Sequence, residues 1–116
     1  MIFIIDDPIK GREDAESEVQ RKNLLEWYKS VAYTRLQPGG KIIVIQTRWH
    51  QDDLAGYILN ESGEDWKVLD LPAIDDKGNA LWPEAYSKTD LEKIQNTVGQ
   101  RVWQALYQQR PSNEEG

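Results

Sequence analysis

Two short stretches of this chain place oxygen and nitrogen functions where chemistry could be done. The first is Asp6-Asp7, which follows directly on the apolar run Ile2-Phe3-Ile4-Ile5. A carboxylate held at the end of a buried strand can bind a hydrated Mg²⁺, a hard cation that prefers oxygen ligands. A neighbouring carboxylate can polarise an attacking water. The second is Thr47-Arg48-Trp49-His50, which closes the run Ile42-Ile43-Val44-Ile45. A hydroxyl and a guanidinium there can sense a phosphate, or the water attacking it, through charge-assisted hydrogen bonds. Each stretch also has a plain structural reading: two acids closing a strand before a turn, and an arginine paired with a surface acid. His50 is the sole histidine. It supplies neither a metal cluster nor a histidine relay by itself, so a solvent-facing or capping role is expected.

The elements that must hold these groups are legible as a pattern. Both four-residue runs are β-branched or aromatic and apolar on both faces, as expected of central strands in a parallel sheet. Pro8 removes a ladder donor and ends the first. Between them Leu24, Tyr28 and Val31 recur at helical spacing, and Pro38-Gly39-Gly40 breaks the helix. A second helix is expected over Leu54, Ala55, Ile58 and Leu59, with Asp52 and Asp53 suited to its N-terminus. Trp66 to Leu71 alternates and predicts a third, more exposed strand closed by Pro72. Asp75 to Asn79 reads as a turn. The spacing of Leu91, Ile94, Val98, Val102 and Leu106 predicts one broken helix or two, jointed at Gly99. Pro111 to Gly116 reads as a polar, frayed end. The β-α-β-α-β order predicts an α/β fold, a three-layer parallel-sheet core with right-handed crossovers. In such sheets ligands sit beyond the carboxyl ends of the strands, where Asp6-Asp7 and Thr47-Arg48 both fall.

Composition bounds the partners. With 116 residues and 39% apolar side chains the chain has room for a single core. The formal net charge of −6 and the absence of a basic stripe argue against a free-standing DNA grip, because phosphate neutralisation supplies most of such affinity. The clusters Lys10/Arg12 and Arg21/Lys22 are interrupted by acids and read as solvated helix faces. There is no cysteine, hence no disulfide framework and no cysteine-based zinc site. The run Ile2 to Ile5 is too short for a signal core or a membrane span, so a cytoplasmic, host-cell location is expected. Trp49, Trp66, Trp82 and Trp103 are expected as core or interface anchors.

Taken in order, the pieces resemble the phage terminase large subunit family. The resemblance is carried by the strand with Asp6-Asp7-Pro8-Ile9-Lys10, Ala15-x-Ser17, Thr34-Arg35-Leu36, and the block Ile45-Gln46-Thr47-Arg48-Trp49-His50-x-Asp52-Asp53-Leu54-Ala55-Gly56. It continues through Leu71-Pro72-Ala73, Leu81-Trp82-Pro83-Glu84 and Tyr107-Gln108-Gln109-x-Pro111, and so spans nearly the whole chain. It implies a partial P-loop NTPase fold of the additional-strand type, residues 1–116 being part of a DNA-packaging ATPase domain from the Walker B strand onward. By the same resemblance Asp6 matches the Mg²⁺-associated Walker B aspartate. Asp7 stands where a catalytic glutamate is usual, a shorter carboxylate that leaves the water-activating group open. Thr47 and Arg48 match the coupling motif. In the whole protein the resemblance implies Mg²⁺ and ATP as cofactors, and double-stranded DNA, portal protein and terminase small subunit as partners.

No G-x-x-x-x-G-K-[ST] loop occurs in the sequence, so no cofactor is expected to bind this chain by itself. The family's RNase H-like nuclease domain is absent as well. The chain is therefore expected to be a truncated reading frame, a prophage remnant or an excised piece, inactive alone and prone to self-association through a bare sheet edge. Two alternatives stand beside this reading. One is a small Mg²⁺-dependent nuclease using Asp6, Asp7 and either Asp52 or Asp53. The other is a non-catalytic interaction module of prophage origin.

Overall fold

The computed structural model describes residues 1–112; Asn113 to Gly116, within the stretch expected to fray, lie outside the described residues. The chain forms two compact units, the first spanning Met1–Trp66 and the second beginning at Lys67.

In the first unit β1 (Ile2–Asp6) and β2 (Lys41–Ile45) pair in parallel, with Ile2 opposite Lys41 and Asp6 opposite Ile45. A parallel pair cannot be closed by a hairpin and needs a long crossover. Here that crossover is α1 (Arg12–Glu16) and α2 (Glu18–Trp27). Ser17 separates the two helices and caps the second, its hydroxyl accepting from the Gln20 amide at 3.2 Å. After Trp27 the chain continues through a π turn, Tyr28–Ala32, and a 3-10 turn, Tyr33–Arg35, before Pro38 and Gly39 return it to β2. Beyond β2, α3 (Leu54–Asn60) packs back on the unit.

The core consists of Ile5, Tyr28, Ala32, Leu54 and Ile58, with Phe3, Leu24, Leu25, Ile42, Val44, Tyr57 and Trp66 packed against it. It therefore takes one face of the sheet. On the other face Ile2, Ile4, Ile43 and Ile45 are all exposed, Ile2 at 63%. This corrects the expectation of strands buried on both faces. The alternation of the pleat sends successive side chains to opposite faces, and only one of those faces meets helices. Burial of a side chain such as Leu54 contributes about 2 kcal/mol, whereas the exposed isoleucines contribute a fraction of that.

The second unit corrects another expectation: Trp66 to Leu71 forms no strand. Leu69 is 82% exposed and Val68 and Leu71 are also exposed. A strand is stable only against a neighbour that pairs its ladder. Residues 73 and 74 find other partners. The Ala73 amide donates to the Tyr107 carbonyl at 2.7 Å, and the Gln108 side chain brackets Ile74, accepting from its amide and donating to its carbonyl at 2.9 Å each. The turn at Asp75 to Asn79 forms as expected, closed by an antiparallel bridge between Ile74 and Ala80.

α4 (Lys88–Val98) starts at a reciprocal cap. Ser87 accepts from the Asp90 amide, and the Asp90 carboxylate accepts from the Ser87 amide. Gly99, at φ 85°, joins α4 to α5 (Gln100–Val102), which runs on as a π turn, Trp103–Tyr107. Leu91, Trp103 and Ala105 are buried, and Trp103 stacks on Tyr107 with centroids 5.2 Å apart. Trp82, expected as an anchor, is exposed. The architecture is thus mixed α/β with a small two-stranded parallel sheet. Among the described residues no helix is long and apolar enough to cross a membrane.

Candidate functional site

The parallel register brings the two polar stretches to one edge of the sheet. Asp6 is the last residue of β1 and lies opposite Ile45, the last residue of β2, so Asp7 and the segment Gln46-Thr47-Arg48 leave the sheet side by side. The Asp7 amide donates to the Ile45 carbonyl at 2.7 Å, which ties the two departures together. Asp7 adopts φ 50°, the left-handed region, one of two non-glycine residues among those described to do so. Aspartate tolerates that region better than most residues, and such conformations concentrate where function constrains the backbone. Both carboxylates are exposed, and neither has a hydrogen-bond or ion-pair partner among the described residues. They are oxygen donors presented to solvent on a fixed strand end, a donor set that suits a hydrated Mg²⁺.

The Thr47-Arg48 side of the edge is organised differently. Arg48 turns to Asp53, the one buried charged residue among those described, at 3% exposure. The Arg48 Nε–H donates to both carboxylate oxygens, at 2.9 and 3.2 Å. The Gln46 Nε2 donates to the same carboxylate at 3.0 Å, and so does the Gly56 amide, at 2.8 Å. Asp53 is thus the N-cap of α3 and the counter-charge of Arg48 together. The Gln46 Oε1 is buried and accepts nothing.

Gly56 is a steric requirement of this arrangement. A Cβ there would overlap the Gln51 carbonyl oxygen and lie 3.1 Å from its carbon. His50 fills a capping role, its Nδ1 accepting from the Asp52 amide at 3.0 Å. Burial, with Arg21 as a second cause, lowers its pKa below the usual value, against the opposing pull of Asp52, Asp53 and Glu16.

Asp53 was legible in the sequence as a helix-starting acid, but its hold on Arg48 was not. The available signal was the spacing Asp53-x-x-Gly56, an N-cap three residues before a glycine. For the nuclease alternative, Asp53 is a poor choice of third acid. A buried carboxylate already accepting from three donors, Arg48, Gln46 and Gly56, cannot join Asp6 and Asp7 around a metal without giving up those bonds. Among the described residues no three acids or histidines group as a metal site. The aromatic cleft lined by Tyr28, Lys29, Tyr33, Tyr57, Ser62 and Glu64 is separate from these groups. Its one cation, Lys29, lies 5.1 Å from the centre of the Tyr57 ring. No protein-family model, curated protein or solved structure matches this chain.

Proposed function

We propose that the chain is part of the ATPase domain of a phage terminase large subunit, carrying the Walker B strand and the coupling motif of a DNA-packaging motor, and that it is inactive alone. One observation supports this reading above the others: β1 and β2 lie in parallel register with Asp6-Asp7 and Thr47-Arg48 leaving on one edge. That is where an α/β nucleotide-hydrolysing sheet carries its chemistry. The reading extends the two strands to the larger three-layer fold of the P-loop NTPase class, whose second layer of helices would cover the exposed isoleucines.

In the whole motor Asp6 would hold Mg²⁺, whose part is to neutralise charge on the transferred phosphate. Asp7 would orient water from its left-handed position, and Thr47 and Arg48 would respond to phosphate state. ATP needs the phosphate-cradling loop, and no such sequence lies within residues 1–116. DNA, portal protein and small subunit are partners of the assembled motor.

Purified chain should therefore release no phosphate from ATP; turnover that vanished on Asp6→Ala would overturn inactivity. Supplying a phosphate-binding loop in front of β1 tests the assignment itself. The chimera should regain Mg²⁺-dependent hydrolysis that is lost on Asp6→Ala. A folded, ATP-binding chimera indifferent to Asp6 would remove the Walker B reading.

A further inference from the structure

We propose that Asp53 is a positioning residue for Arg48, and that its single carboxylate links any displacement of Arg48 to the start of α3. The inference deepens the motor reading. It rests on that reading only for what would displace Arg48, a phosphate-bearing ligand at the sheet edge.

The argument begins with charge. A carboxylate at 3% exposure is stable as an ion only while paired and hydrogen-bonded. Arg48 supplies the cation, through one Nε–H shared between both oxygens. The remaining donors to Asp53 are neutral, the Gln46 amide and the Gly56 N–H. The Gly56 bond is the N-terminal cap of α3. If Arg48 leaves, the carboxylate loses its counter-charge and is driven toward water, and the atom that caps α3 moves with it. The cap and the ion pair cannot be varied independently because one functional group makes both. The register reinforces the link. Gln46 and Arg48 are two residues apart just beyond β2, and both hold Asp53 across the His50-Gln51-Asp52 turn. Gly56 lies so close to the turn that a Cβ on it would overlap the Gln51 carbonyl oxygen, so the capped end of α3 and the turn are packed backbone to backbone. A displacement at the strand end should therefore appear at α3.

Amide hydrogen exchange on the chain itself tests this, read at Gly56 relative to the amides of β2. Arg48→Met should speed Gly56 exchange by about tenfold, the scale of a lost cap, while the β2 amides change less. Asp53→Asn keeps a neutral capping oxygen. In that background Arg48→Met should leave Gly56 unchanged, and Arg48→Lys in the native background should restore most of the protection. The Arg48 Nε–H resonance gives a second readout, slowly exchanging in the native chain and fast in Asp53→Asn.

A Gly56 amide within about twofold of native in Arg48→Met, or an equal loss in both backgrounds, would overturn the link. Should Arg48→Met fail to fold, a folded Asp53→Asn chain whose Arg48 Nε–H stays protected overturns the positioning role. None of these readouts uses nucleotide. Their failure leaves the motor reading standing, and an inert chimera leaves the link standing.

Discussion

Gly56→Ala sets two physical rules against each other. By helix propensity alone alanine should stabilise the first turn of α3 by about 1 kcal/mol over glycine. The local geometry opposes it. The new methyl would overlap the Gln51 carbonyl oxygen and sit 3.4 Å from the Asp53 Oδ1. Relief requires moving the Gln51-Asp52 turn. That turn is held by the Asp53 amide on the His50 carbonyl at 3.3 Å and the Asp52 amide on the His50 Nδ1 at 3.0 Å. Overpacking of this kind costs about 2 kcal/mol, and a displaced cap costs about 1 kcal/mol more. Against a gain of about 1 kcal/mol the net destabilisation is about 2 kcal/mol, a fall in Tm of roughly 10 °C for a unit this small. Urea denaturation followed by circular dichroism measures it directly. A Gly56→Ala midpoint equal to or above the native one would show that the turn yields freely and that the junction is softer than described.

Two further outcomes follow from caps and titration. Ser87→Ala removes the hydroxyl half of the cap at α4, leaving the backbone amide of residue 87 on the Asp90 carboxylate, and should cost about 1 kcal/mol, read by the same urea titration; no loss would mean that α4 starts without the hydroxyl. His50, with its pKa lowered chiefly by burial, binds protons more readily unfolded than folded. Its contribution is present above the unfolded value and lost as pH falls through the folded one. Native stability should therefore decline more steeply than that of His50→Gln as pH falls below the unfolded value of about 6.5; parallel pH profiles would rule His50 out as the cause.

The elements most legible in the sequence were those that depend on short-range chemistry. Ile2 to Ile5 and Ile42 to Ile45 became strands because β-branched side chains favour the pleat, and Pro8 and Pro38 bounded them as proline must. The joint at Gly99 was visible because a helix stops where only glycine takes that backbone. What escaped the reading depends on partners. Alternation from Trp66 to Leu71 looks like a strand whether or not a neighbour exists to pair it, and here, among the described residues, no strand pairs with it. An apolar run cannot say how many of its faces are covered, so the one-sided sheet was invisible. Asp6, Asp7, Thr47 and Arg48 could be placed at one sheet edge from the order of elements. The Arg48–Asp53 contact could not, because it is set by how the four residues between them fold back.

The uncovered face of the sheet also has a calorimetric consequence. Isoleucines 2, 4, 43 and 45 meet water in the folded chain and meet it again when the chain unfolds, so they add little to the heat-capacity change. Apolar exposure is what makes that change large and positive, ordinarily about 12–15 cal/mol/K per residue. A chain with this sheet should fall below that range. Its stability curve is then broad and shallow, with a weak dependence of unfolding enthalpy on temperature and a correspondingly small urea slope. Any surface that came to cover those four side chains would sharpen the curve, so the curvature of stability against temperature is itself a gauge of whether the face is bare.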